Sequence, residues 1–530
     1  MAPDPTIEPE TLIDLLDQRR RLTPDRAAFW FQGRPISYHD LWRRLTSFGQ
    51  RLIRAGFRPG DHLPLALPNG PEFFEAFYGA QWAGGTAVPL YPASGPDRLL
   101  AIAEHCRASL LLVADQNQAN KLEAAAGVDG PRVLLPELAP GDPLEVEGRP
   151  PSADTPSYIQ YTSGSTGAPK GVILTHRQLL TNVRQMIEGM KITPEEIFVS
   201  WLPVHHDMGL ILKTMVPFYL GAQTHLLPTD LRQVRRWFEL IESLGATFTA
   251  APDFAYRLAL RRWAEGDRPD LSTLRVALNA AEPVRRQTIE SFHDAFGLEQ
   301  VMVAGYGLAE AAVGVSMWPP GRANRVDDRG VVSVGPPFPK VELRIRKLED
   351  RQAPVGEIMV RSPANCSGYL HEPEATAALF DQEGFLHTGD LGSMDDDGNL
   401  YVVGRLKNII KLGGRTLYPA ELEEAADGHP AVRFSAAVGV DRGRLEGEQP
   451  YLFAEVRRPG GRGEADLKSL VIDLVQRVQD HLGLRPGRVY LLRPGAIPRT
   501  LNGKIQHGEL KRRYLEGELR DQQLILYPDF

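Results

Sequence analysis

A chain of 530 residues, 42% hydrophobic and 24% charged, is too long for one core and predicts two or more domains. A formal charge of −7 and a pI near 6.1 exclude nucleic acid as an expected partner. No apolar run is long enough to span a bilayer, so stable membrane insertion is not expected, and two cysteines, Cys106 and Cys366, argue against a disulfide framework. The opening "MAPDPTIEPETLIDLLDQRRR" is acidic and proline-rich, unlike a signal peptide, and the expected compartment is the cytoplasm.

In chain order, "LWRRLTSFGQRLIRAG" carries apolar residues at helical spacing and stops at Gly56; "DHLPLALPN" then reads as a buried strand. "FFEAFYGAQWAGGTAVPLYP" and "LLAIAEHCRASLLLVAD" repeat helix, stop and strand. "YIQYTSGSTGAPKGVILTH", "ELIESLGATFTAAP", "LRVALNAAEP" and "TIESFHDAFGLEQVMVAGYG" form a second such series. Alternation of this kind predicts α/β subdomains with mainly parallel sheets. From about Arg322, "GVVSVGPPFPKVELRIRKL" and "GEIMVRSP" read as short antiparallel strands. After "DDDGNLYVVGRLKNIIKLGG" come further helices and strands, including "LKSLVIDLVQRVQDHLG" and "GRVYLLRPG". The fold class is therefore α/β: a large N-terminal domain of parallel-sheet subdomains plus a β-rich subdomain (1–404), and a small mobile C-terminal α+β domain (405–530).

In "TSGSTGAPKG", from Thr162 to Gly171, glycines let the backbone approach a ligand, while Thr162, Ser163, Ser165, Thr166 and Lys170 add donors. Pro169 and Gly171 break the common G-x-x-x-x-G-K-[ST] pattern, and by itself the stretch reads as a solvated loop. Taken with "NAAEP", "GYGLAEA", "HTGDLG", "GRLKNIIK" and "PRTLNGKIQ", it resembles the adenylate-forming superfamily of acyl-CoA synthetases, fatty acyl-AMP ligases and stand-alone adenylation domains. The resemblance covers essentially the whole chain, in the family's motif order.

The resemblance implies ATP and Mg²⁺ as cofactors and assigns roles residue by residue. The loop of Thr162, Ser163, Gly164, Ser165, Thr166, Gly167 and Lys170 would close over the β- and γ-phosphates. Tyr306 and Gly307 would lie against the adenine, lined also by Ala281 and Glu282. Thr162 and Glu310 would hold the metal, Asp390 would accept both ribose hydroxyls, and Arg405 would stand near the ribose. Lys407 would be the hinge. Lys504 would bridge the substrate carboxylate and the α-phosphate, a cation placed where two anions must meet. Each motif taken singly also reads as an ordinary turn, strand end or helix start.

"SWLPVHHDMGLI" and "APDFAYRLALRR" most resemble the fatty acyl-AMP ligase branch. His206 would lie by the carboxylate at the mouth of an acyl pocket that also takes Asp253, Phe254, Ala280 and Gly305. Metal binding at His205, His206 and Asp207 is disfavoured, because adjacent histidines serve one ion poorly. Two departures stand out. "AAVGVSMWPPGRANRVDDRGVVSVG" is short where the branch carries an insertion, which leaves the thiol acceptor open between an acyl carrier protein and coenzyme A. Asp253 replaces an Asn, and reads either as a cap on the helix it begins or as a partner for a substrate amine. "LKRRY" from Leu510 offers either a carrier-docking patch or a solvated helix end. The implied activity is ATP-dependent activation of a carboxylic acid, a fatty acid first, to acyl-adenylate, then transfer to a carrier-protein thiol. The alternatives are a coenzyme A ligase and an amino-acid or β-amino-acid adenylating enzyme; a non-catalytic sensor would have lost some of these residues.

Overall fold

Alternating amphipathic helices and short apolar strands build two mainly parallel sheets in the computed structural model, which describes residues 7–126, 130–136, 148–162, 169–263, 266–348, 354–412, 415–443, 448–499 and 504–528. Contacts divide the chain into two units: Met1–Arg344, Met359–Thr388 and Asp395–Leu400; and Ile345–Ile358, Gly389–Met394 and Tyr401–Phe530. Asp390, Arg405, Lys407 and Lys504 belong to the second unit, and the other candidate residues to the first.

In the first unit, an eight-stranded sheet carries Ile197–Ser200, Phe248–Ala251, Val276–Asn279 and Met302–Tyr306 in parallel at its centre. Apart from half-buried Ile197 and Tyr306 at their ends, these runs are buried, as strands covered on both faces must be. A seven-stranded sheet pairs Pro156–Thr162 antiparallel with Lys170–Thr175, which in turn takes Gly368–Tyr369 on its outer side. The helix–strand alternation of the sequence is thus realised as α/β architecture.

The second unit has a four-stranded sheet, Val432–Asp441, Glu448–Val456, Arg488–Leu492 and Gln523–Tyr527. Leu422 and Ala426 of helix Pro419–Asp427, and Leu470, Val471 and Leu474 of helix Glu464–Leu482, join one core cluster with its strands. Leu510 and Tyr514 of helix His507–Leu515 join a second cluster with Phe453 and Tyr490. Residues Ser333 to Arg405 supply the β-rich region, with strands Glu342–Arg346, Gly356–Arg361, Leu386–Met394 and Leu400–Arg405. Among the described residues no helix is long and apolar enough to cross a membrane.

Candidate functional site

In an open parallel sheet, ligands collect outside the carboxyl ends of the strands. That edge is where the first unit puts most of the residues singled out above. Ser200 leads to His206, Ala251 to Asp253, Asn279 to Ala280 and Glu282, and Tyr306 to Glu310. Register places Ala251 beside Asn279 and Asn279 beside Ala304, so these exits share one rim.

Thr162 closes the strand Pro156–Thr162 and pairs directly with Lys170. The loop residues Ser163, Gly164, Ser165, Thr166 and Gly167 lie outside the described residues. The amine of Lys170 sits 4.9 Å from the centre of the Tyr369 ring, and the Tyr369 hydroxyl donates to Glu310 Oε1 at 2.8 Å. A cation, a phenol and a carboxylate are thereby linked beside Thr162. Tyr369 was not legible in the sequence, being 59 residues from Glu310. Glu310 is fixed further by its carbonyl, which accepts from the Cys366 amide at 2.7 Å.

Two backbone features hold this rim. A side chain at Gly307 would place its Cβ 1.6 Å from the Val313 carbonyl oxygen, so only glycine allows the close turn after Tyr306. Ala281 adopts φ 72°, a left-handed conformation that costs an L-residue about 1–2 kcal/mol. Strain of that kind at a strand exit is a mark of functional turns.

The His205–His206–Asp207 turn begins a π-helical segment, Met208–Met215. His206 Nδ1 lies 2.5 Å from Asp207 Oδ1, which also caps the segment by accepting from the Met208 amide. Gly209 is required here, since a Cβ would stand 2.2 Å from the Pro203 carbonyl oxygen. Asn69, missed in the sequence, ties the approach to this turn: its amide nitrogen donates to the carbonyls of Leu202 and Leu227, and its oxygen accepts from the Val204 amide. No group of three or more potential metal ligands occurs among the described residues. A hard cation at Thr162 and Glu310 would accordingly take its remaining oxygens from a bound polyphosphate, which is the donor set those two side chains fit.

Asp253 departs from the expected cap. The N-cap of its helix, Asp253–Arg262, is Pro252 with no side-chain cap. The Asp253 carboxylate is buried and accepts instead from Asn279 Nδ2 at 3.0 Å, from the Arg285 amide at 3.3 Å and from the Thr288 hydroxyl at 3.1 Å. Arg257 Nε lies 3.4 Å away and Arg285 Nε 3.9 Å. Glu282 accepts from the Phe254 amide at 2.5 Å; burial first, and the charge of Asp253 second, hold its carboxyl well above the usual range.

In the second unit Asp390 is buried and pairs with Arg405, Nε to Oδ1 at 2.8 Å. Burial and the Arg405 charge lower the ammonium pKa of the neighbouring Lys407. Lys504 is exposed, on a segment whose flank is pinned by Glu455. This carboxylate, fully buried, accepts from the Ile497 amide at 3.0 Å, Arg499 at 3.2 Å and Arg433 at 2.9 Å. The basic patch at "LKRRY" is largely neutralised. Arg512 pairs with Glu509, Glu516 and Glu518, Arg513 with Glu509, and Lys511 approaches Glu448 at 3.7 Å. A carrier-docking role for it loses its electrostatic basis.

Residues 16–370 match the AMP-binding enzyme family. The medium-chain-fatty-acid–[acyl-carrier-protein] ligase JamA of Moorena producens is 31% identical, over 96% of this chain and 96% of its own. The long-chain-fatty-acid–AMP ligase FadD32 of Mycolicibacterium smegmatis is 31% identical over 87% of this chain and 86% of its own. Among solved structures, one from work on the fatty acyl-adenylate ligases of E. coli and L. pneumophila superposes with a TM-score of 0.84. It is 29% identical, covering 96% of this chain and 98% of that one. McyG A-PCP complexed with phenylalanyl-adenylate shares the fold, with a TM-score of 0.88 at 23% identity over 97% of this chain and 85% of its own.

Proposed function

The chain belongs to the AMP-binding enzyme family, and on that premise we propose that it activates a fatty acid and delivers it to the phosphopantetheine thiol of a carrier protein. It is an adenylate-forming ligase that uses ATP. In the first step a carboxylate oxygen attacks the α-phosphorus, the bond from that phosphorus to the bridging oxygen breaks, and pyrophosphate leaves. In the second a thiolate attacks the acyl carbon, the C–S bond forms and AMP leaves.

The observation that carries this reading is the linked set Thr162, Lys170, Tyr369 and Glu310 at the carboxyl edge. Lys170 would neutralise phosphate charge, with Tyr369 setting the position of both its neighbours. Glu310 and Thr162 would hold Mg²⁺, which when bound supplies further neutralisation of the polyphosphate. Tyr306, Gly307, Ala281 and Glu282 would face the adenine, and Asp390 and Arg405 the ribose. His206, oriented by Asp207, would line the carboxylate end of a pocket with Phe254, Ala280 and Gly305. Lys504 is the cation proposed to join carboxylate and α-phosphate. Residues 405–530 would pivot at Lys407 between the two steps.

Asp253 gives little support to an amino-acid substrate, because two arginines and three hydrogen bonds already engage its carboxylate. The short segment 311–335 leaves coenzyme A as the alternative acceptor.

Mass spectrometry of products from enzyme, MgATP and a panel of fatty and amino acids tests the proposal, with coenzyme A or a phosphopantetheinylated carrier added. Acyl-adenylate that passes to the carrier alone is the expected result. Acyl-CoA would replace the acceptor, and aminoacyl-adenylate would replace the substrate class.

A further inference from the structure

Tyr158, Gln160 and Thr162 alternate along one strand and so project from a single face, with Gln160 about 7 Å and Tyr158 about 13 Å from Thr162. This row runs inward from the proposed phosphate end. Tyr158 is 0% exposed and Gln160 8%, yet the Tyr158 hydroxyl and Gln160 Oε1 have no hydrogen-bond partner among the described residues. The His205 turn faces the same row. Gln160 Nε2 donates to the His205 carbonyl at 3.3 Å, and the charge of Asp207 acts on the Tyr158 hydroxyl. His205 Nδ1 is a third buried, unpartnered atom, its ring packed edge-on to Tyr91 at 5.4 Å between centres.

Buried polar atoms without partners are costly, at about 1–3 kcal/mol each, and three in one neighbourhood call for a partner, a ligand group or an ordered water. Their chemistry is complementary to one hydroxyl. Gln160 Oε1 can only accept, the Tyr158 O–H can donate, and His205 Nδ1 does either according to tautomer. Burial, followed by the charge of His206, lowers His205 to about 3, so near neutrality it is an uncharged imidazole suited to such a group.

We infer that the acid taken by this site carries a hydroxyl on its second or third carbon, held by Tyr158, Gln160 and His205 beside the carboxylate at His206. The inference rests on the adenylation reading above and names the substrate class within it. An unsubstituted acyl chain would leave all three atoms unpaired, and a site built for a hydroxyl discriminates strongly against the analogue without one.

The test measures pyrophosphate release with MgATP and no thiol, so only the acid side is read. Decanoic acid is compared with its 2-hydroxy, 3-hydroxy and 10-hydroxy derivatives. The expected result is a kcat/KM for the 2- or 3-hydroxy acid roughly ten- to a hundredfold above that for decanoic acid. Tyr158→Phe, and independently Gln160→Met, should each pull that ratio down by about tenfold. Equal use of decanoic acid would overturn the inference, assigning the three atoms to fixed water, and so would a preference for the 10-hydroxy acid. Pyrophosphate from none of the acids would remove the adenylation reading itself, a failure distinct from a flat preference among consumed acids.

Discussion

The first unit holds two buried polar clusters a short way apart in sequence logic and opposite in state. Both oxygens of the Asp253 carboxylate are engaged: Asn279, Thr288 and the Arg285 amide donate to them, and Arg257 and Arg285 balance their charge, although Asn279 Oδ1 has no hydrogen-bond partner among the described residues. Around His205 the hydroxyl of Tyr158, the oxygen of Gln160 and a ring nitrogen stand without partners among the described residues. A saturated cluster has finished its work when the chain folds. It fixes the start of helix Asp253–Arg262 against that of Arg286–Phe296, and a ligand has little to add. An unsaturated one retains binding capacity. The distinction separates architecture from function without reference to any motif.

Breaking the saturated cluster should give the largest loss. Asp253→Ala removes a buried carboxylate that accepts three hydrogen bonds and faces two half-buried guanidinium groups, and breaking such a network costs about 3–5 kcal/mol. Urea unfolding should show that loss, together with a reduced yield of folded protein. Preserved stability would mean that the arginines find water and that the cluster is no keystone. Lys504→Ala is the converse case. It removes an exposed cation, so unfolding should change by less than about 0.5 kcal/mol while pyrophosphate release falls by roughly 10²–10³-fold. A variant that loses both would make Lys504 part of the fold.

How much of this contrast was legible in the sequence depends on distance along the chain. Period-two and period-3.6 patterns gave the α/β architecture, because each reports a face that one element must bury. Candidate residues in short motifs came instead from the resemblance of those motifs, in their order, to the adenylate-forming superfamily. Asp253 misled, since a helix-start Asp normally caps its own helix, whereas here its partners lie 26 to 35 residues on. Tyr369 and Asn69 were invisible because their contacts cross between strands and turns far apart in sequence. The neutral state of "LKRRY" could have been read, given Glu509 and Glu516 at helical spacing from Arg512 and Arg513. Tyr158 and Gln160 also left a signal, the alternation Y-I-Q-Y-T, which the apolar character of the strand masked.

Lys213 sharpens the comparison from between its extremes. Its amine is fully buried, donates one hydrogen bond to the Phe248 carbonyl at 3.2 Å, and lies 4.8 Å and 4.6 Å from the centres of the Phe198 and Phe248 rings. Burial pulls its pKa well below the ordinary 10.5, opposed only weakly by Glu196. The folded chain therefore binds fewer protons here than the unfolded one, and stability rises with pH until about 10.5, where the unfolded lysine also loses its proton. Lys213→Met should stabilise by about 1–3 kcal/mol at neutral pH, with the gain shrinking as pH climbs towards that limit. Thermal unfolding of both proteins across the pH range reads the effect. A destabilised variant would show that the two rings and the single hydrogen bond satisfy the amine fully.

The smallest effect bears most directly on the open cluster. If the Tyr158 hydroxyl lies unpartnered in the ligand-free protein, Tyr158→Phe removes a desolvated group and no hydrogen bond, and unfolding should be unchanged or stabilised by up to about 1 kcal/mol. A tyrosine that held an ordered water would behave oppositely, since its loss would strand that water's other partners and cost about 1 kcal/mol. The sign thus reports whether the cluster is open or already filled. Repeating the measurement with saturating 3-hydroxydecanoic acid turns the sign around. Ligand that binds only the folded state raises its stability with concentration and affinity, so the wild type should gain more than the variant. Equal gains would leave Tyr158 outside the acid's reach, and the cluster would then join Asp253 as architecture.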